Sequence, residues 1–191
     1  MQDLAADVVA LMDHLSLPQS VIAGCSVGGM VAMATALAAA FRVSALILSN
    51  SAARMGTPEA SAARIDAITT AGLASILDMI FERWFPEPFR ASPECLPWRS
   101  LLLHSDPSGH IATCRALALA DLRDEVPRIT CPVLMLAGSE DIGTPPALVQ
   151  ATATLIPNAR VEVLAGAGHI PAIDAPAKVA SLVTQFLPAL P

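Results

Sequence analysis

The tightest constraint in this sequence is a pair of glycines around one serine, Gly24-Cys25-Ser26-Val27-Gly28, set between two apolar stretches of different character. Ser20 to Gly24 reads as a short buried strand. Val27 to Ala40 reads as a strong helix former. A strand that passes into a helix through Gly-x-Ser-x-Gly must turn sharply at the serine. Side chains beside it would clash, so glycines are expected on both sides, and the serine hydroxyl projects from the turn. The helix behind it offers free backbone N–H groups and a positive dipole end to a developing negative charge. Ser26 is therefore the candidate nucleophile, and the N–H of Val27 the candidate oxyanion donor. Cys25 lies one position too early to be exposed by such a turn and reads as a small core residue.

The surrounding elements agree with this turn. Leu4, Val8, Leu11 and Leu15 predict a helix with one apolar face, ended by Pro18. Val43 to Leu48 predicts a second buried strand. Helix, strand, helix, strand implies a parallel sheet with crossover helices. From Ser51 to Arg128 the periodicity is helical, and Pro86, Pro88, Pro93, Pro97 and Pro107 should split it into several helices. Strands resume at Pro132 to Ala137 and Arg160 to Leu164, with helices at Pro145 to Leu155 and Ala175 to Leu187. The division expected is a core of residues 1–51 and 129–191 and a helical cap of residues 52–128.

Composition excludes several classes. The chain has 191 residues, 54% of them hydrophobic and 15% charged, which argues against disorder. The net charge of −6 gives no footprint for nucleic acid. No stretch predicts a membrane span, and the acidic start does not look like a signal peptide. Cys25, Cys95, Cys114 and Cys131 show neither a CxxC pair nor zinc spacing, so free thiols, no metal and a cytoplasmic setting are expected.

A serine hydroxyl needs a base, and the base an orienting acid. Asp141, in Gly138-Ser139-Glu140-Asp141, follows the strand ending at Ala137. His169, in Gly166-Ala167-Gly168-His169, follows the strand ending at Leu164. Both fall at the carboxyl ends of parallel strands, as Ser26 does, which is where open sheets of this kind bind ligands. Glu140 is the rival acid and reads rather as solvated. Asp174 reads as a polar residue or cap before the last helix. His14 reads as a surface or half-buried histidine. His104 and His110 fall in the cap and read as structural, within possible reach of a ligand.

With these residues in place, the chain resembles the 3-oxoadipate enol-lactonases, within the α/β-hydrolases. The resemblance rests on Gly24-Cys25-Ser26-Val27-Gly28-Gly29-Met30, the segment Leu48 to Pro58, Arg83-Trp84-Phe85, Asp121-Leu122-Arg123, and Gly138-x-x-Asp141-x-x-Thr144-Pro145-Pro146. It implies an α/β-hydrolase fold lacking its first strands. It also implies hydrolysis of a small enol-lactone through Ser26, His169 and Asp141, with no cofactor. Arg83 and Trp84 would face the small anionic substrate, and Arg54 is a weaker candidate for the same task. Other carboxylesterases and haloperoxidase-like members share the elbow, and a non-catalytic binding protein could share the fold. Family members carry a longer segment before the elbow, including the strand beside Ser20 to Gly24 and the loop with the second oxyanion donor. The expectation is that this chain begins late, that Met1 is internal, and that one strand edge is bare.

Overall fold

The computed structural model describes residues 1–189. Four parallel strands, β1 (Ser20–Cys25), β2 (Val43–Ser49), β3 (Val133–Gly138) and β4 (Ala159–Leu164), form one sheet in the order β1-β2-β3-β4. The connections are helical. Helix α1 (Gln2–His14) leads into β1, and α2 (Val27–Ala38) joins β1 to β2. Five helices follow β2: α3 (Pro58–Ala71), α4 (Leu77–Trp84), α5 (Glu87–Arg90), α6 (Leu96–Leu103) and α7 (Pro107–Leu119). Helix α8 (Pro146–Leu155) joins β3 to β4, and α9 (Pro171–Asp174) and α10 (Pro176–Phe186) follow β4. The expected prolines punctuate the helical stretch as their missing N–H requires. Pro88, Pro97 and Pro107 stand in the first turns of α5, α6 and α7, and Pro86 caps α5.

Alternation along the strands divides the core. Leu46, Leu48, Val133 and Met135 face α2 and α8, whereas Ala45, Ile47, Leu134 and Leu136 face α10. All six residues of β3 are buried, as a central parallel strand demands, while β1 is only partly buried at the sheet edge. The helical stretch has its own core of Ile68, Ile76, Ile80, Phe81, Phe85 and Leu102, against which Ile170 and Ile173 of the segment after β4 also pack.

One sequence expectation fails. The predicted apolar face of α1 does not turn inward: Leu4, Leu11 and Leu15 are exposed, and Ala5 and Met12 are buried. The helix lies against α2, whose buried residues include Ala32, Ala34 and Ala36. Small alanines on both sides permit a close approach that a leucine row would block. Arg42 ties this corner down, pairing with Asp13 at 2.7 Å and donating to the Pro18 and Leu17 carbonyls.

Among the described residues no helix is long and apolar enough to cross a membrane.

Candidate active site

The parallel ladder delivers four strand ends to one edge. The N–H of Ser26 bonds the Ser49 carbonyl, that of Asn50 the Leu136 carbonyl, and that of Ser139 the Leu164 carbonyl, so pairing persists as each strand runs into its loop. Ser26, Asn50, Asp141 and His169 all lie in these loops.

Ser26 has φ 55° and ψ −122°, a positive-φ conformation that costs a non-glycine residue about 1–3 kcal/mol. Its carbonyl is held by the Gly29 N–H at 2.9 Å and the Ser51 hydroxyl at 2.7 Å. The turn explains the glycines only in part. A side chain on Gly24 would overlap the Gly28 backbone, and one on Gly29 would meet the Ser51 side chain, but one on Gly28 would meet nothing. Gly28, expected from the motif to be sterically required, is not; Gly29 is. Gly24→Ala is therefore expected to destabilise the fold by about 2 kcal/mol or more, whereas Gly28→Ala should be neutral or gain about 0.5 kcal/mol. Chemical denaturation of the two variants checks the contrast.

His169 and Asp141 meet under this turn. His169 Nδ1 stands 2.7 Å from Asp141 Oδ2, and both residues are buried. Asp141 Oδ2 also accepts from the Asn50 amide at 2.8 Å and from the Thr144 hydroxyl. Oδ1 accepts the N–H groups of Gly143 and Thr144 at 2.7 and 3.0 Å. Burial alone would raise the Asp141 pKa. The bonds from His169, Thr144 and Asn50 outweigh it and hold the carboxyl well below the ordinary aspartate range. The carboxyl is thus a fixed anion bonded to Nδ1 of the imidazole, and among the described residues no hydrogen bond engages Nε2. The backbone N–H of His169 donates to the Trp84 carbonyl at 2.7 Å, so the end of α4 is tied directly to the histidine. Gly168, one residue earlier, donates to Asp174 Oδ2 at 2.7 Å, which makes Asp174 an anchor of this loop.

A cavity of about 440 Å³ opens above the strand ends. Ser26, Val27, His169, Arg83 and Trp84 line it together, so the structure brings the sequence-predicted residues to one place. Among the described residues no turn or cap hydrogen bond uses the Val27 N–H, which starts α2. The remaining candidates separate clearly. Glu140 is exposed and takes a bond from Ser139, away from His169. Cys25 lines the cavity, but burial pushes its thiol up to about 11, helped by the charges of Asp141 and Asp174, so it stays protonated at neutral pH. Arg54 is exposed and pairs with Asp121 outside the cavity. His14 and His104 are exposed, whereas His110 lines the cavity.

Sequence reasoning passed over three residues. Asn50, fully buried at φ 48°, bridges the acid to the Gly168 carbonyl beside His169. Ser51 clamps the serine turn, and Thr144 braces the acid. Asn50 and Ser51 were marked only by a polar run, Ser49-Asn50-Ser51, closing an otherwise apolar strand, and Thr144 only by its place in the motif after Asp141. Among the described residues no group of three or more His, Cys, Asp or Glu side chains could hold a metal ion.

A positive-φ serine between strand and helix, backed by a buried His–Asp pair at the carboxyl edge of a parallel sheet, defines the class. The chain belongs to the alpha/beta hydrolase family, whose profile matches residues 1–182. It is 36% identical over 175 residues to 3-oxoadipate enol-lactonase 2 of Acinetobacter baylyi, covering 91% of this chain and 65% of that relative. The chain thus spans a little under two thirds of that relative's length. The enol-lactonase structure from Burkholderia xenovorans superposes with a TM-score of 0.92 at 34% identity, covering 97% of this chain and 72% of that one. A thermophilic esterase from Thermogutta terrifontis, solved with malate bound, gives a TM-score of 0.88 at 33% identity, covering 96% and 70%.

Proposed function

We propose that this chain is a serine hydrolase of small anionic lactones and esters, and that its substrate is 3-oxoadipate enol-lactone. The observation that carries the reading is the positive-φ Ser26 sharing one cavity with the buried His169–Asp141 pair. In this reading Ser26 Oγ attacks the lactone carbonyl while His169 Nε2 takes its proton. The Val27 N–H stabilises the oxyanion. The ring C–O bond breaks, His169 returns the proton, and the enol released becomes a ketone. Water activated by His169 then cleaves the acyl-serine to give the open-chain dicarboxylate. Asp141 holds the imidazole in one tautomer throughout. Residues 52–128 serve as the cap over a core of residues 1–51 and 129–191, and the cap delivers Arg83 and Trp84. A reducing, cytoplasmic setting suits the four unpaired thiols.

The relatives support the substrate class. Enol-lactonases stand among the similar proteins in both sequence and structure, and the esterase similar to this chain binds malate, a small dicarboxylate. That esterase also favours a second reading, a general small-ester hydrolase. Steady-state turnover of the enol-lactone against a panel of aryl esters decides between them. Fast aryl-ester hydrolysis with none of the lactone would replace the first reading by the second. Failure of a fluorophosphonate probe to label Ser26 would leave neither.

Arg83 carries a further prediction. Its guanidinium lies beside Gly143, next to the Asp141–His169 pair, where it can hold a substrate carboxylate. Arg83→Ala is expected to raise KM for the anionic lactone at least about tenfold, with little change for a neutral ester. Equal effects on both would remove Arg83 from recognition.

A further inference from the structure

The cavity wall contributed by the helical stretch holds a second arginine: Arg64 of α3 and Arg83 of α4 both line it, beside His110 of α7, whose pKa burial and the charge of Arg64 lower, so that it is a neutral donor. Neither arginine forms an ion pair among the described residues. Arg64 Nε is sealed from solvent and has no hydrogen-bond partner. Such an orphaned donor on a charged group is costly unless something else satisfies it. The two guanidiniums also oppose one another: burial first, and then the charge of Arg64, lowers the Arg83 pKa. The charge of Asp141 offsets this in part, but Asp141 forms an ion pair with neither arginine. Asp141 already accepts five hydrogen bonds, from His169, Asn50, Thr144 (twice) and Gly143. A ligand carboxylate in this cavity would supply the negative charge that neither guanidinium finds among the described residues.

We propose that Arg64 and Arg83 form a two-armed clamp for one substrate carboxylate, the one that Ser26 does not attack. His110 is the third donor. Arg64 then sets the preference for acid-bearing substrates over neutral ones. Both arginines line the same cavity as Ser26, so a carboxylate they hold and a carbonyl at Ser26 lie in one pocket. Long neutral acyl chains would have to lie across two unneutralised guanidiniums.

The preference for acid-bearing esters rests on the hydrolase reading, but the clamp itself is tested by binding alone. Adipate, a six-carbon dicarboxylate that cannot be turned over, is titrated calorimetrically into the Ser26→Ala protein. Binding is expected, and expected to weaken with added salt. In that background Arg64→Gln should weaken it at least about tenfold. Arg64→Lys, which keeps the charge but loses the fork, should fall between. The double change with Arg83→Gln should weaken binding by less than the product of the single effects, since both arms hold one group. Absence of adipate binding, or unchanged affinity in a folded Arg64→Gln variant, overturns the clamp. Strictly multiplicative effects overturn its single-carboxylate form. With Ser26 intact, Arg64→Gln should raise KM for an anionic ester and leave a neutral ester unchanged. An inactive enzyme whose adipate affinity depends on Arg64 keeps the clamp and discards the hydrolase reading. Lactone turnover indifferent to Arg64 does the reverse.

Discussion

Ser26→Ala is expected to cut lactone turnover by about 10⁴-fold or more while leaving the protein folded. The reasons for the two halves differ. In the proposed mechanism the hydroxyl forms the acyl bond, and His169 and Asp141 act only through it. Loss of the nucleophile therefore removes what all three do together. Among the described residues the hydroxyl makes no hydrogen bond, whereas the backbone at residue 26 is held by Gly29, Ser51 and Ser49. Removing it costs the structure little. Ser26→Gly tests the same point from the other side. Glycine accepts φ 55° without strain, so this variant should be inactive and more stable than the native chain by about 1 kcal/mol. Denaturant titration and a turnover assay read the two effects separately. Retained turnover in either variant would end the serine mechanism.

Asp141→Asn should produce a comparable loss of turnover, about 10⁴-fold, together with lost stability. The carboxylate accepts on both oxygens, from two backbone N–H groups on one and from Asn50, Thr144 and His169 on the other. An amide can accept on one side only. Whichever way it turns, its NH₂ faces donors, and the imidazole loses the partner that fixes its tautomer. The pH dependence follows from the depressed pKa. The folded state holds Asp141 ionised more strongly than the unfolded chain does. Its contribution is fully present above the ordinary aspartate value, about 3.9, and is lost as pH falls below it. Unfolding free energy measured from pH 7 downward should decline more steeply below about pH 4 in the native chain than in Asp141→Asn. Parallel profiles would show that the carboxylate is not held as described.

The placement of the three candidate catalytic residues was legible because each sits at a strand end that the local pattern marks. Gly24 and Gly28 flag Ser26, and apolar runs ending at Ala137 and Leu164 place Asp141 and His169. Choosing Asp141 over Glu140 matched the geometry because only one of two adjacent side chains can turn inward from that loop. The supporting residues were less legible. Asn50 and Ser51 are common polar types whose partners lie 91 to 118 and 25 positions away, and no local period encodes such bonds. Gly28 illustrates the opposite error. A motif names a residue, but the close approach that excludes a side chain occurs at Gly24 and Gly29. The face of α1 was misjudged for a related reason. Periodicity reports an apolar stripe, yet the identity of the packing partner decides which stripe is buried.

By itself, then, the sequence determined the alternation of strands and helices, the sharp turn at Ser26 and the chain order of the three candidate catalytic residues, because these depend on neighbours within a few positions. The tertiary structure alone decided that Asn50 and Thr144 brace Asp141, that the Trp84 carbonyl holds His169, and that Arg64 joins Arg83 in the cavity with a buried donor unsatisfied. Each of these is a contact between distant elements. Its energy depends on burial and on which partners remain unpaired, and those quantities exist only once the chain has folded.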